Sequence, residues 1–205
     1  QVLSQTIIGG FLNPRTATEI STGITPSAYQ YSMPTIDVRR YYSGSGSFDA
    51  AVLAAQTAGY RAYLPRGTYA FNSTIAVKGP GLIGDGPNQT VLTFNGTHAF
   101  TLASGEGISR RPCILEGFSV ESVANSCDSK FLFYAPGVAS LAAPVYNSGI
   151  RLRNIEVGSA ANSRFGGGFY LKDIFCFDAE NVTFTHVSRM IQLAGSVVQC
   201  TFYKV

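Results

Sequence analysis

SFDAAVLAAQTAGYRAYLPRGTYAFNSTIAVKGPGLIGDGPNQTVLTF, residues 47 to 94, decides how the rest of this chain is read. Phe48, Val52 and Ala55 fall on one stripe of a helix over 48–58, with Leu53 beside it. Ala50, Ala51 and Ala54 keep the packing close, and Gly59 supplies a left-handed end. Short strands follow at once, AYLP, TYAF, TIAV and GLIG, broken at Pro65 to Gly67 and at Gly79 to Gly81. A stack of strands exposes unpaired backbone and apolar side chains at its first coil, and an amphipathic helix laid over that end covers both. The chain beyond Phe94 is therefore expected to be a stack of similar coils.

Working outward, composition agrees. Of 205 residues, 45% are hydrophobic and 13% charged, with no Trp, which suits one elongated domain of many strands and tight turns. A net charge of +3, without a Lys/Arg run or an aromatic RNA-binding signature, argues against nucleic acid. No apolar run reaches membrane-spanning length, so no membrane insertion is expected. The chain starts at Gln1, and its final residues, VVQCTFYKV, alternate like a half-buried strand without a closing turn. From this a C-terminally truncated stack is expected. Cys113, Cys127, Cys176 and Cys200 form no CxxC pair and sit mostly at apolar strand positions, which favours buried thiols over zinc or redox chemistry. A Cys113 to Cys127 bridge stays open for a secreted protein. Asn72, Asn88, Asn95 and Asn181 each begin an Asn-x-Thr or Asn-Ser-Thr sequence of sequon type.

Residues 1–46 read as an N-terminal connector and lead-in. Thr16 and Glu19 form a capping box for a short helix ended by Gly23, TPSAYQYSMP is extended, and IDVRRYY is a strand with Ile36 and Val38 inward and Asp37 and Arg39 outward. RTATEISTGITPSAYQYSMPTIDVRRYY, the alanine-rich helix, YLPRGTYAF and LIGDGPNQTVLTF together resemble the start of the pectate-lyase-like right-handed parallel β-helix of bacteriophage tailspikes and capsule depolymerases. The resemblance covers roughly residues 14 to 94. It implies an all-β fold, a right-handed single-stranded parallel β-helix or solenoid with a short N-terminal capping helix, over residues 47–205. Members typically carry Gly-Asp-Gly and an acidic run before the helix. Here SGSGSF stands instead and leaves Asp49 alone, so no calcium or acidic site is expected there.

Downstream, repetition takes over. CILEGFSV (113–120), IRLRNIEV (150–157), FYLKDIFC (169–176), FDAENVTF (177–184) and SVVQCTF with Gly195 share one pattern of apolar, polar and turn positions. The step from Asn154 to Asp173 matches that from Asn181 to Gln199 to within one residue. The third and fourth octets then read as successive faces of one coil, with Asn154 on Asp173 and Asn181 on Gln199 as an amide ladder. The same spacing places Arg151 beside Tyr170, Arg153 beside Lys172 and Glu156 beside Phe175, a cationic and aromatic strip. Arg151, Arg153, Tyr170 and Lys172 are accordingly the candidate carbohydrate-binding residues, with a plain solvated face or a subunit contact as the alternatives.

Glycoside hydrolysis needs two carboxylates about 5 to 9.5 Å apart. Asp173, Asp178 and Glu180 are the clustered acids of the repeats and the candidate catalytic residues, although Asp173 sits where a corner residue is expected. Arg151, Arg153, Lys172 or Tyr170 would have to act as base in a β-elimination. His98 and His186 read as turn and corner residues. The excursion NSCDSKFLFYAPGVASLAAPVYNSG either builds a groove or, through Phe131, Phe133 and Tyr134, adds strands. The readings that follow from the resemblance are a virion-tail or secreted protein, generally a homotrimer, that recognises and cleaves a bacterial surface polysaccharide. The competing ones are a non-catalytic adhesion shaft and a secreted pectate-lyase-like enzyme. No cofactor or metal is expected.

Overall fold

The computed structural model describes Ser21 and residues 35–77, 80–95, 97–102, 113–123, 130–135, 147–158, 165–185 and 187–205. Their twelve strands belong to one sheet, and every described pairing is parallel. The architecture is all-β and is consistent with a parallel solenoid.

Three columns of strands organise it. The first comprises β1 (Thr35–Asp37), β2 (Arg61–Leu64), β5 (Gly81–Gly84), the first halves of β8 (Cys113–Ser122) and β10 (Asn147–Val157), the latter part of β11 (Gly167–Phe184) and the end of β12 (Arg189–Tyr203). Its register brings Ile36, Ala62, Leu82, Leu115, Leu152, Ala179 and Phe202 into line. In the second, β3 (Gly67–Phe71) and β6 (Thr90–Phe94) precede the later halves of β8, β10 and β11, aligning Tyr69, Leu92, Val120, Val157 and Phe184. The third runs from β4 (Ile75–Val77) through β7 (Phe100–Leu102) and β9 (Phe131–Ala135) to the starts of β11 and β12, aligning Ile75, Phe100, Phe133, Phe169 and Ile191. The chain visits the columns repeatedly in the same order. Side chains from different columns meet in a shared interior: the Phe100 ring lies 5.7 Å from Phe94 and 5.6 Å from Phe118, and Phe169 lies 5.3 Å from both Phe177 and Phe184.

Alternation along a strand explains which residues turn inward, and single left-handed residues explain how a long strand changes column. Gly117, Asn154, Asn181 and Lys204, at φ 76, 51, 55 and 50, mark the bend between columns one and two. Asn tolerates this region because its short amide bonds locally. The expected amide ladder is corrected here: Asn181 Nδ2 donates to Asn154 Oδ1 at 2.8 Å, while Gln199 takes the Cys176 thiol at 3.2 Å and Asp173 lies opposite Gly195. The third and fourth octets do follow one another within β11, as read from the sequence. The octet stacked on 150–157 is the fourth rather than the third, because one circuit of the chain is longer than the spacing used to align them.

The helix α1 (Asp49–Thr57) packs on β2, β4 and the 3-10 turn Val38–Tyr41, beside early strands of columns one and three. It buries Ala51, Val52, Ala55 and Gln56, so the expected stripe of Val52 and Ala55 faces the core with Phe48 packed against it, while Leu53 beside the stripe is 45% exposed. Phe48 precedes the helix, stacked 4.0 Å from Tyr42 and edge-on to Tyr69. Gly59 at φ 84 ends it as expected: Gly59 N–H donates to Gln56 and Tyr60 N–H to Ala55, the paired bonds of a Schellman motif. The strand expected over IDVRRYY stops at Asp37, which is buried rather than outward. Its carboxylate accepts from the Arg39 backbone N–H and guanidinium, and this starts the 3-10 turn. The guanidinium's hydrogen bond to Asp37 raises the Arg39 pKa, outweighing desolvation. Cys113 is buried and Cys176 and Cys200 are half-buried. Cys127, His186 and the Thr16/Glu19 capping box lie outside the described residues.

Candidate functional site

Six of the seven candidate site residues occupy two different faces, and Asp173 sits at a bend between strand segments. Arg151 and Arg153 project from column one, and their neighbours in the next strand are Asp178 and Glu180. The guanidinium to carboxylate distances are 3.5 Å and 3.3 Å, and all four side chains are half-exposed. This corrects the expected pairing of Arg151 with Tyr170, Arg153 with Lys172 and Glu156 with Phe175. Cross-strand neighbours are set by column membership, and Tyr170 and Lys172 belong to column three, while Glu156 is in register with Thr183. Glu116 flanks Arg153 on the other side, so opposite charges alternate along the row. Such a face neutralises itself and offers no cationic strip.

That geometry also bears on the three acids. Asp178 and Glu180 share a face, and each is engaged by its own guanidinium. A glycosidase acid must hold a proton at the leaving oxygen, whereas these carboxylates are arranged for ion pairing. Asp173 stands apart at a bend with φ 52, and a Cβ on the facing Gly195 would collide with its Oδ1. Gly195, itself at φ 64, avoids both that contact and the left-handed cost a Cβ would add.

Column three carries a different assembly. Tyr170 is in register with Tyr134, and their rings stack 5.0 Å apart at 27°. On the other side of Tyr134 lies the imidazole of His98, 4.0 Å away and tilted by 1°. Phe131 closes the inner flank, 5.9 Å from His98 and 5.6 Å from Tyr170. The sequence implies this row because β9 and β11 alternate, Phe133 and Phe169 inward and Tyr134 and Tyr170 outward. His98 is locked by the Phe131 N–H, which donates to Nδ1 at 3.0 Å, so in the neutral ring the proton sits on Nε2. Burial, helped by the nearby Lys130 charge, pushes the His98 pKa down to about 4. The imidazole is therefore neutral at pH 7. Lys172 lies two residues beyond Tyr170 on the same side of β11, next to Ala194.

The turn role expected for His98 is thus only part of its position, and the Phe131 to Tyr134 segment is a strand, one of the two readings left open. Sequence reasoning missed His98 and Tyr134 as partners of Tyr170. One signal was present: the three residues lie at equal intervals along the chain. Other polar side chains serve the scaffold. Asp85 accepts from the Tyr63 hydroxyl and Arg66 N–H at 2.6 Å each, and Asn88 donates to Glu156 at 2.8 Å. Among the described residues no cluster of His, Cys, Asp or Glu is arranged to hold a metal ion. Compared with known proteins, the chain matches no family model, no curated protein and no solved structure.

Proposed function

We propose that this chain is a right-handed, single-stranded parallel β-helix of the tailspike and capsule-depolymerase kind, acting in a homotrimer to recognise a bacterial surface polysaccharide. The observation that supports it is the in-register stacking of 113–120, 150–157 and 177–184, with the chain passing through three columns in fixed order. Such a stack presents rows of outward side chains about 4.8 Å apart over a long lateral face, and an extended polymer is the ligand that fits a repeating, rigid row. Cleavage is the less supported half of the reading, because Asp178 and Glu180 are each held by an arginine. That same observation favours, as a second reading, a β-helix that binds or supports without turnover.

Affinity electrophoresis of the 205-residue chain through gels containing bacterial capsule or O-antigen polysaccharides tests this. Retardation by at least one polymer, with no change in polymer length after incubation, is the expected result. Shortened polymer or unsaturated-uronate absorbance would assign catalysis. Unretarded migration in every gel would sink polysaccharide recognition and leave the structural shaft.

A further inference from the structure

We propose that the outer edge of the His98, Tyr134 and Tyr170 pile, with Lys130 and Lys172 beside it, binds an acidic polysaccharide lying along the direction in which the strands stack. The inference rests on the polysaccharide reading above and assigns it a place and a ligand class. The three rings are half-buried, and their faces are turned on one another at 4.0 Å and 5.0 Å. Tyr134 therefore has both ring faces covered and can offer a sugar only its edge and hydroxyl. Aromatic edges carry the positive part of the ring quadrupole and attract oxygen acceptors and anions. Two phenol hydroxyls, neither hydrogen-bonded among the described residues, and the proton-bearing Nε2 of His98 continue the same polarity. Lys130 and Lys172 add positive charge, and neither forms an ion pair among the described residues. This contrasts with column one, where Arg151 and Arg153 are already matched by carboxylates. A ligand complementary to a row of donors and ammonium groups is rich in acceptors and negatively charged, as a uronate-containing polysaccharide is.

The test compares variants for binding to capsule and O-antigen polysaccharides of known composition, acidic and neutral, at two salt concentrations. The Tyr134→Phe/Tyr170→Phe variant keeps the stacking and removes only the hydroxyls. It should weaken binding to acidic polymers about tenfold, and Lys172→Gln about fivefold with a shallower salt dependence. Arg151→Gln should change affinity less than about twofold. Wild-type binding that neither the double Phe variant nor Lys172→Gln alters would overturn the assignment while leaving polysaccharide recognition standing. Equal affinity for neutral and acidic polymers would overturn the ligand class. Binding of wild type to nothing in the panel removes the reading on which the assignment rests, and the assignment with it.

Discussion

Asp49 shows how one side chain couples two elements. It begins α1, where a carboxylate suits the helix dipole, and it also accepts from the Asn72 N–H at 3.2 Å, the Ser73 N–H at 3.0 Å and the Ser73 hydroxyl at 2.6 Å. The turn between β3 and β4 is thereby tied to the helix. Burial alone would raise the Asp49 pKa, but hydrogen bonds from Ser47, Ser73 and Asn72 outweigh it and hold the carboxyl below its ordinary value of 3.8. A depressed carboxyl pKa contributes stability that is fully present above the unfolded value and is lost as pH falls through the folded one. Asp49→Asn should therefore cost about 1 kcal/mol at pH 7, the low figure reflecting a half-exposed group. In urea titrations the gap from wild type should close as pH drops below 3.8. A gap that persists unchanged at pH 2 would assign the loss to packing.

At the scale of an element, the columns explain why chemically equal residues carry unequal weight. Leu115 and Leu193 both occupy inward positions, in line with Leu152 and Leu171 respectively. Leu115 is fully buried in the middle of column one, whereas Leu193 on the final strand is 55% exposed. Removing a buried leucine side chain loses its transfer free energy and leaves a cavity. Leu115→Ala is expected to destabilise by about 2–5 kcal/mol, and Leu193→Ala by no more than about 0.5 kcal/mol. Denaturant midpoints for the pair check this, and similar losses would mean that β12 is covered as thoroughly as the centre.

At the scale of the whole molecule, the stack of described strands has two dissimilar ends. At one, α1 lies over β2 and β4. At the other, β12 pairs only with β11 among the described residues and exposes Met190, Ile191, Leu193 and Tyr203 at 37–56%. An edge with free ladder groups and apolar side chains is a template for association. The 205-residue chain should thus sediment as concentration-dependent oligomers, and Leu193→Lys should shift it toward monomer because a charge on the edge opposes strand addition. A monodisperse wild type, unchanged by Leu193→Lys, would show that this end is not adhesive.

The sequence by itself determined the local features. Gly59 could only end a helix that Phe48 to Ala58 begin, the strands from Ala62 to Phe94 were bounded by their Gly and Pro residues, and the octets carried their alternation openly. These depend on backbone propensity and side-chain period, which act over a few residues. Only the tertiary structure decided which octet stacks on which, and with it every cross-strand neighbour. Circuits of unequal length separate the columns, so Arg151 met Asp178 rather than Tyr170, and Tyr170 met Tyr134 and, beyond it, His98. Asp37 turned inward for a different, local reason: its carboxylate contact with the Arg39 guanidinium, two residues on, accompanies the end of the strand and the start of the 3-10 turn. The composition of each face is set by pairings between distant residues, and no short-range pattern encodes those.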